Sequence, residues 1–433
     1  MNGIKIAVIG GGSSYTPELA SGLVKRAGVL PVEELVLVDI PEGGKKLGIV
    51  TELVKRIFEK EGLATRVTAT LDRQEALKGC SFVITQFRVG GLEARSTDER
   101  IPLKYRVIGQ ETTGPGGFAK ALRTVPVALS IAKDMERLCP GAWLINFTNP
   151  SGIVTEALNK YSNIRNAGLC NVPINMERDL AEQLGVSHED VYCEFVGLNH
   201  LSWIKRVFVR GLDKTEELFE RADFEKSIVS NIPPVQGASE LIKTLRLIPS
   251  PYLDYYYFEN QMFDEELESF NKGMTRADEV MKVEKELFSL YADERRTEVP
   301  PELSERGGSL YSEVALSTIE SIFNDLGRVI VLNTPNKGAI TGIDADSVVE
   351  TNCVVNRAGL HPLATGELPL KIRSLVYRVK TYEQLTVEAA VSGSRESAFL
   401  ALLNHPLVHG AKNASLLLDE ILSVNKRYLP QFA

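Results

Sequence analysis

A chain of 433 residues with 44% hydrophobic and 24% charged residues is long enough for two or three packed units with sizeable cores. Its 49 Lys and Arg against 57 Asp and Glu give a formal charge of −8, so no general positive field favours nucleic acid or an anionic membrane. The five cysteines are an odd number without a CxxC pair, which argues against a disulfide framework and a structural zinc site.

Strand-like and helical patterns alternate along the N-terminal part of the chain. Helices are predicted to begin near Pro17 and Lys45, and another spans 150–160. Apolar strands are predicted at 4–9, 34–39, 66–70, 81–86, 142–147 and 165–169. This βαβ alternation predicts an α/β fold with a Rossmann-like, doubly wound parallel sheet, and we place this first domain at residues 1–170.

The pattern changes after about residue 191. The segment 202–209 alternates polar and apolar residues, which suits an antiparallel sheet with one exposed face. Helices are predicted at 275–291, 311–323 and 415–428. We therefore expect a second, α+β domain at residues 171–433, packed against the first with the site between them. No signal segment and no apolar run of ~18 residues is recognisable, which predicts a cytoplasmic protein that does not enter membranes.

The first strand runs directly into a glycine-rich turn. Thr16 and Pro17 follow it as helix cap and first-turn proline, so a pyrophosphate could lie on a helix N-terminus. Asp39 ends the second strand, where it can accept hydrogen bonds from ribose hydroxyls and favour NAD over a 2′-phosphorylated cofactor. Tyr15 replaces the third glycine of GxGxxG, so the motif is a variant, and a turn that serves only the fold is the alternative. The predicted cofactor-binding residues are Gly10, Gly11, Gly12, Ser13, Ser14, Tyr15 and Asp39.

One thiol and one imidazole follow downstream of this turn. Cys170 ends an apolar strand, and His200 lies in the sequence Gly197-Leu198-Asn199-His200. A Cys and a His make a partial metal site, and two protein ligands leave coordination positions open for a substrate. From the residues alone, Cys170 can equally be a small buried core residue.

Four motifs occur in one order along the chain: Gly10–Tyr15, Asn146–Pro150, Cys170–Pro173 and Gly197–His200. With these motifs the sequence resembles glycoside hydrolase family 4 over nearly its whole length, through the segments 251–256 and 306–308. Asn171 after the cysteine resembles the 6-phospho-β-glucosidase branch, since the α-glucosidase branch has Asp or His there. The resemblance also implies a second domain of the lactate/malate dehydrogenase type and a homodimer or homotetramer.

The resemblance implies hydrolysis of a phosphorylated disaccharide or β-glucoside to glucose 6-phosphate and aglycone. NAD would transiently oxidise the sugar at C3. A divalent metal, most often Mn²⁺, would then assist removal of the C2 proton. Elimination of the aglycone and addition of water would follow at C1. The resemblance implies that Cys170 and His200 bind the metal. It also implies that Tyr252 is the base and that the Glu111 carboxylate raises the basicity of Tyr252. The implied substrate-binding residues are Arg95, Asn149, Asn171 and Arg276. Because an amide such as Asn171 cannot protonate a leaving group, the acid is left without a candidate.

Two other functions use the same nucleotide domain. An NAD-dependent dehydrogenase of a hydroxy acid or sugar phosphate would accumulate NADH with its substrate. A catalytically silent NAD-binding sensor would need none of the reactive side chains, and the joint presence of Cys170, His200 and Tyr252 argues against it.

Overall fold

The computed structural model describes residues 3–221, 235–306 and 310–433. Its strands are β1 (Ile4–Ile9), β2 (Val32–Val38), β3 (Arg66–Thr70), β4 (Phe82–Thr85), β5 (Trp143–Asn146), β6 (Arg165–Gly168), β7 (Val191–Leu198), β8 (Leu201–Val209), β9 (Leu212–Asp213), β10 (Ile248–Pro249), β11 (Arg328–Pro335), β12 (Ile340–Thr341), β13 (Val348–Asn356), β14 (Gly359–Pro362) and β15 (Gly366–Glu367). Its α-helices are α1 (Thr16–Lys25), α2 (Gly44–Lys60), α3 (Arg73–Leu77), α4 (Gly91–Leu103), α5 (Gly114–Leu138), α6 (Ser151–Tyr161), α7 (Val172–Leu184), α8 (Thr215–Arg221), α9 (Ala238–Leu245), α10 (Asp254–Tyr257), α11 (Glu259–Asn271), α12 (Arg276–Tyr291), α13 (Tyr311–Asn324), α14 (Leu370–Ser392), α15 (Arg395–Asn404) and α16 (Gly410–Val424).

The main sheet carries a Rossmann half and an antiparallel extension. Six strands run parallel in the order β3, β2, β1, β4, β5, β6, the dinucleotide-binding order, which confirms the predicted fold class. β11 then pairs antiparallel with β6, with Asn333 opposite Gly168, and β13 and β14 follow. One sheet therefore continues past residue 170, and the domain boundary there stays a prediction.

Helices cover both faces of this sheet. On β1, Ala7 and Ile9 face the core formed with α5, α6 and α14, whereas Ile6 and Val8 face the core formed with α1, α2 and α13. Burial on both faces explains why these strands read as continuous apolar runs.

A second, antiparallel sheet consists of the β7–β8 hairpin with β9 and β10. The buried side chain of Asn352 ties it to the main sheet, since its amide accepts from the Phe195 N–H at 2.8 Å and donates to the Cys193 carbonyl at 2.9 Å.

The helix predicted at 415–428 is α16, which begins earlier, at Gly410. Within the described ranges, no helix combines the length and apolarity needed to span a bilayer.

The loops that leave the carboxyl ends of β1, β4, β5 and β6 meet at one edge of the parallel sheet, where ligands bind in open α/β sheets. These loops carry the glycine turn, Arg88, Asn149 and Cys170. The β7–β8 turn brings His200, and a short 3-10 turn at Pro251–Leu253 brings Tyr252.

Candidate active site

The glycine-rich segment makes a tight turn between β1 and α1. Gly10 has a φ of +86°, and a Cβ there would lie 2.9 Å from the backbone of Gln86. A Cβ on Gly12 would lie 2.8 Å from the carboxylate oxygen Oδ2 of Asp39. Larger residues at either position would displace the neighbouring strand-end loops, which is the physical reason for glycine here.

The surroundings of this turn fit a dinucleotide. The Asp39 carboxylate accepts the Gly12 N–H at 2.9 Å and keeps further acceptor positions. Helix α1 begins at Thr16, and the side chain of its N-cap residue, Tyr15, makes no capping hydrogen bond. The Ser14 hydroxyl is buried and has no hydrogen-bond partner in the part of the chain that the structure describes. A helix N-terminus next to the turn, an unsatisfied hydroxyl and a carboxylate fit the pyrophosphate and ribose of NAD.

Tyr15 forms one wall beside the turn. Its ring stacks on Tyr311 with the ring centroids 5.3 Å apart, and the Arg306 guanidinium lies 5.2 Å from the Tyr15 centroid. Arg306 also donates to the Tyr15 hydroxyl at 3.3 Å. Burial raises the pKa of Tyr15 despite this cation, so the phenol stays protonated at neutral pH.

Glu111 gathers three cationic side chains. Its carboxylate pairs with Arg88, with Arg95 at 3.2 Å and with Lys120 at 2.8 Å. Burial alone would raise the pKa of Glu111, but the three cations hold it well below its usual range. Burial, together with repulsion from Arg88, lowers the pKa of Lys120 to about 7. Arg95 also pairs with Glu99, so two carboxylates face three basic groups, and the cluster leaves at most one surplus positive charge for an anionic ligand.

Cys170 lies in the loop between β6 and α7. Its sulfur accepts the Val172 N–H at 3.4 Å. Burial, with Glu350 nearby, raises the pKa of the thiol above its usual range. In the absence of a cation the group is therefore a neutral thiol.

His200 occupies the turn between β7 and β8 with a φ of +59°. Burial lowers its pKa to about 3, so the imidazole is neutral at physiological pH. The Thr112 hydroxyl donates to Gln110 Oε1 at 2.9 Å, so its oxygen accepts from His200 Nδ1 at 3.0 Å. This leaves the Nε2 lone pair for a metal, as in sites where a second hydrogen bond fixes the ligand tautomer.

A sulfur and a neutral imidazole nitrogen are a donor set for a divalent transition metal. In the described portions of the chain, no group of three or more His, Cys, Asp and Glu side chains is placed to hold an ion. Cys170 and His200 therefore fit a metal whose remaining positions are filled by substrate or water oxygens.

Tyr252 lies against the imidazole of His200. Its ring stacks on the His200 imidazole with centroids 3.8 Å apart and an interplanar angle of 3°, and it packs against the core that includes Cys170. Its hydroxyl is close enough to Arg95 for the two groups to interact electrostatically. The three tyrosines that follow it are largely packed, and Tyr256 contacts His405 at 3.3 Å.

The predicted substrate-binding residues differ in how close they lie to the Glu111 cluster and in how deeply they are buried. Arg95 is buried in the Glu111 cluster and also pairs with Glu99 at 2.7 Å. Asn149 follows β5, and Asn171 follows Cys170. Arg276 begins α12, is partly exposed and pairs with Glu279 at 2.8 Å. Helix α12 reaches the cluster through Glu99, which accepts the backbone N–H of residue 277 at 2.8 Å.

Sequence reasoning missed Arg88, Lys120 and Glu350. Arg88 follows the buried strand β4, and Lys120 interrupts an apolar stretch of α5; either pattern marks a buried charge. Glu350 lies in the buried strand β13, where burial raises its pKa to about 7. A charged residue inside an apolar stretch is the signal that could have identified Lys120, whereas Glu350 is followed by the polar Thr351 and Asn352 and Arg88 lies beyond its strand.

Comparison with known families places the whole chain in one group. The model described as "Family 4 glycosyl hydrolase" matches residues 5–186, and the model of the "Family 4 glycosyl hydrolase C-terminal domain" matches residues 195–408. A probable 6-phospho-beta-glucosidase of Bacillus subtilis (strain 168) is 50% identical over 99% of this chain and 98% of its own length. A maltose-6′-phosphate glucosidase of Fusobacterium mortiferum is 31% identical, with 99% of each chain covered.

Solved structures agree with this placement. The 6-phospho-beta glucosidase from Thermotoga maritima, solved with manganese, NAD⁺ and glucose-6-phosphate, superposes with a TM-score of 0.88 at 41% identity over 98% of this chain and 99% of the other. A malate dehydrogenase from Plasmodium falciparum has a TM-score of 0.51 at 15% identity over 96% of this chain and 99% of its own. The latter likeness concerns the fold alone, and it confirms the predicted dehydrogenase-like architecture.

Proposed function

The chain belongs to glycosyl hydrolase family 4, and on that premise we propose that it hydrolyses 6-phospho-β-glucosides to glucose 6-phosphate and the aglycone. The observation that carries this function is the 50% identity, over nearly the whole chain, to a relative named as a 6-phospho-β-glucosidase. The relative named for maltose 6′-phosphate, an α-linked substrate, is only 31% identical. The two sequence identities favour a hydrolase over the alternative of an NAD-dependent dehydrogenase. They also favour the 6-phospho-β-glucosidase branch of the family over the α-glucosidase branch.

The enzyme uses NAD and a divalent metal, with Mn²⁺ the metal named for a related structure. Bound NAD supplies a reversible hydride acceptor, and the metal supplies a Lewis acid beside the sugar oxygens. Gly10–Tyr15 and Asp39 would hold the dinucleotide through the glycine turn and the carboxylate. Cys170 and His200 would hold the metal through Sγ and Nε2.

Tyr252 is the proposed base that removes the C2 proton. Its position on the His200 ring puts the phenol next to the proposed metal ligands, and Arg95 is within electrostatic range. A neighbouring cation favours the charged form of a phenol. Glu111 would tune this effect, because it fixes Arg95 and moderates the positive charge that the phenol experiences.

The surplus positive charge around Glu111 supports binding of the substrate's phosphorylated sugar, with Arg95 as its buried member. Asn149 and Asn171 would contribute amide hydrogen bonds at the strand ends, and Arg276 would approach from the start of α12. No acid is assigned to the leaving group, because Asn171 cannot donate a proton to it at neutral pH.

The domain division at residue 170, a cytoplasmic location and a homodimeric or homotetrameric assembly belong to the same proposal. Sedimentation of the purified protein at several concentrations would measure the assembly.

A substrate screen tests the function. We expect aglycone release from 6-phospho-β-glucosides in the presence of NAD, Mn²⁺ and a thiol reductant, and none from 6-phospho-α-glucosides or unphosphorylated β-glucosides. NADH should not accumulate, because the hydride returns to the sugar. Net NADH formation without aglycone release would instead identify a dehydrogenase, and inactivity toward every substrate would favour the sensor.

A further inference from the structure

The loop between α4 and α5 carries two neighbouring side chains that face different parts of the site. Glu111 pairs with the three basic groups of its cluster. The hydroxyl oxygen of Thr112, the next residue, lies 3.0 Å from Nδ1 of His200. One short segment therefore contacts both the basic cluster and a proposed metal ligand.

This loop lies directly against the first turn of α5, where two glycines allow a close approach. A Cβ on Gly116 would lie 2.3 Å from the carbonyl oxygen of Gln110. A Cβ on Gly117 would lie 2.6 Å from the carbonyl carbon of Thr112. The Gln110 side chain is itself buried. Because the backbone is packed so closely, the loop holds the side chains of Gln110 and Thr112 in a defined arrangement.

The hydrogen bonds within the loop set the orientation of the Gln110 amide. The backbone N–H of Thr112 can only donate, and its nitrogen lies 2.5 Å from Gln110 Oε1, so the oxygen end of the amide faces this N–H. The Thr112 hydroxyl donates to the same Oε1 at 2.9 Å. A hydroxyl has one proton, so the Thr112 oxygen can only accept from His200, and Nδ1 of that ring carries the proton.

Histidine binds a metal through a ring nitrogen that carries no proton, so the position of the proton decides whether Nε2 is available. A threonine hydroxyl alone is compatible with either tautomer, because it can donate to Nδ1 or accept from it. We propose that Gln110 is a positioning residue that acts through Thr112: it takes the hydroxyl proton and thereby keeps Nε2 of His200 free for the metal. This inference rests on the proposed function, in which His200 is a metal ligand.

The test uses substitutions that break or keep this chain of hydrogen bonds. Gln110→Met retains the length of the side chain and removes the acceptor, and Thr112→Val removes the hydroxyl with little change in shape. Thr112→Ser keeps the hydroxyl. Thr113→Val is the matched packing control, since it makes the same substitution at the next residue, whose side chain does not cap α5.

Two quantities are measured on the full-length, metal-free protein. The ¹⁵N chemical shifts of the imidazole nitrogens report which nitrogen of His200 carries the proton, with His200→Gln used to assign the signals. The dissociation constant for Mn²⁺ is measured by loss of the free-ion electron paramagnetic resonance signal. NAD affinity and Tm report on folding.

In the wild type and in Thr112→Ser we expect a protonated Nδ1 and an unprotonated Nε2. Gln110→Met and Thr112→Val should carry the proton on Nε2 in part of the molecules and bind Mn²⁺ about 10–100-fold more weakly, as for other partners of metal ligands. Thr113→Val should match the wild type in both measurements. NAD affinity should stay unchanged in all four variants.

A wild-type protein with the His200 proton on Nε2 would overturn the inference. Equal losses of Mn²⁺ affinity in Gln110→Met and Thr113→Val would also overturn it, because packing of the loop would then explain the effect. The variant His200→Gln separates the two proposals. If it binds Mn²⁺ like the wild type, the ligand assignment fails and the inference with it. If it loses Mn²⁺ while Gln110→Met does not, the assignment stands and the inference alone is overturned.

Discussion

Replacing Glu111 by glutamine removes the carboxylate that pairs with three cations. Breaking a buried ion pair by removing one partner costs about 3–5 kcal/mol, because the other charge is left uncompensated. At about 2.1 cal/mol/K per residue, the 433 residues give an unfolding entropy of about 0.9 kcal/mol/K, so the Tm should fall by about 3–6 °C. The Arg88, Arg95 and Lys120 side chains all contribute to this loss.

The pKa of Lys120, about 7, adds a pH signature. Below that pH the lysine is charged and its pair with Glu111 exists, whereas above it the lysine is neutral. The Tm deficit of Glu111→Gln, measured by scanning calorimetry, should therefore be larger at pH 6 than at pH 9. Glu75→Gln, which removes an exposed partner of Lys78, is the control and should leave the Tm nearly unchanged. A Glu111→Gln protein that melts like this control at both pH values would refute the reasoning.

Three further outcomes are expected. Gly12→Ala should weaken NAD binding at least about 10-fold in titration calorimetry, because the added Cβ would meet Asp39 and the start of α2. Gly48→Ala is the control and should bind NAD normally, since a Cβ at that position has no neighbouring atom within 4 Å. Burial lowers the pKa of His405 to about 3, below the unfolded value of ~6.5. The neutral imidazole therefore contributes its full stability above pH ~6.5, and this contribution declines as the pH falls below it. Between pH 7 and 5, the Tm of His405→Phe should fall by less than the Tm of the wild type. Hydrolysis in deuterated water should yield glucose 6-phosphate deuterated at C2, and a product without C2 deuterium would count against Tyr252 as the base.

The sequence was most informative where structure is local. Parallel strands buried on both faces read as apolar runs, so the elements of the first 170 residues and the glycine turn could be predicted. Tyr252 stacks on His200 and packs against the cluster that includes Cys170, and the metal-ligand pair of Cys170 and His200 stays a prediction. Each of these residues belongs to a short motif at a turn or at the end of a strand, which is why the sequence could indicate it.

The remaining features depend on contacts between distant segments. No local pattern predicts that Arg88, Glu111 and Lys120 meet, since a strand end, a loop and a helix supply them. The pairing of β11 with β6 joins residues more than a hundred positions apart, with no short connection that would reveal the pairing.

The junction of β6 and β11 also bears on how the enzyme matures. Strands β1–β6 can pair as soon as the first 170 residues leave the ribosome, but β6 then ends in an open edge next to Cys170. That edge is covered only when residues 328–335 arrive. The surroundings of the cysteine loop are therefore complete only when residues from the last quarter of the chain are in place.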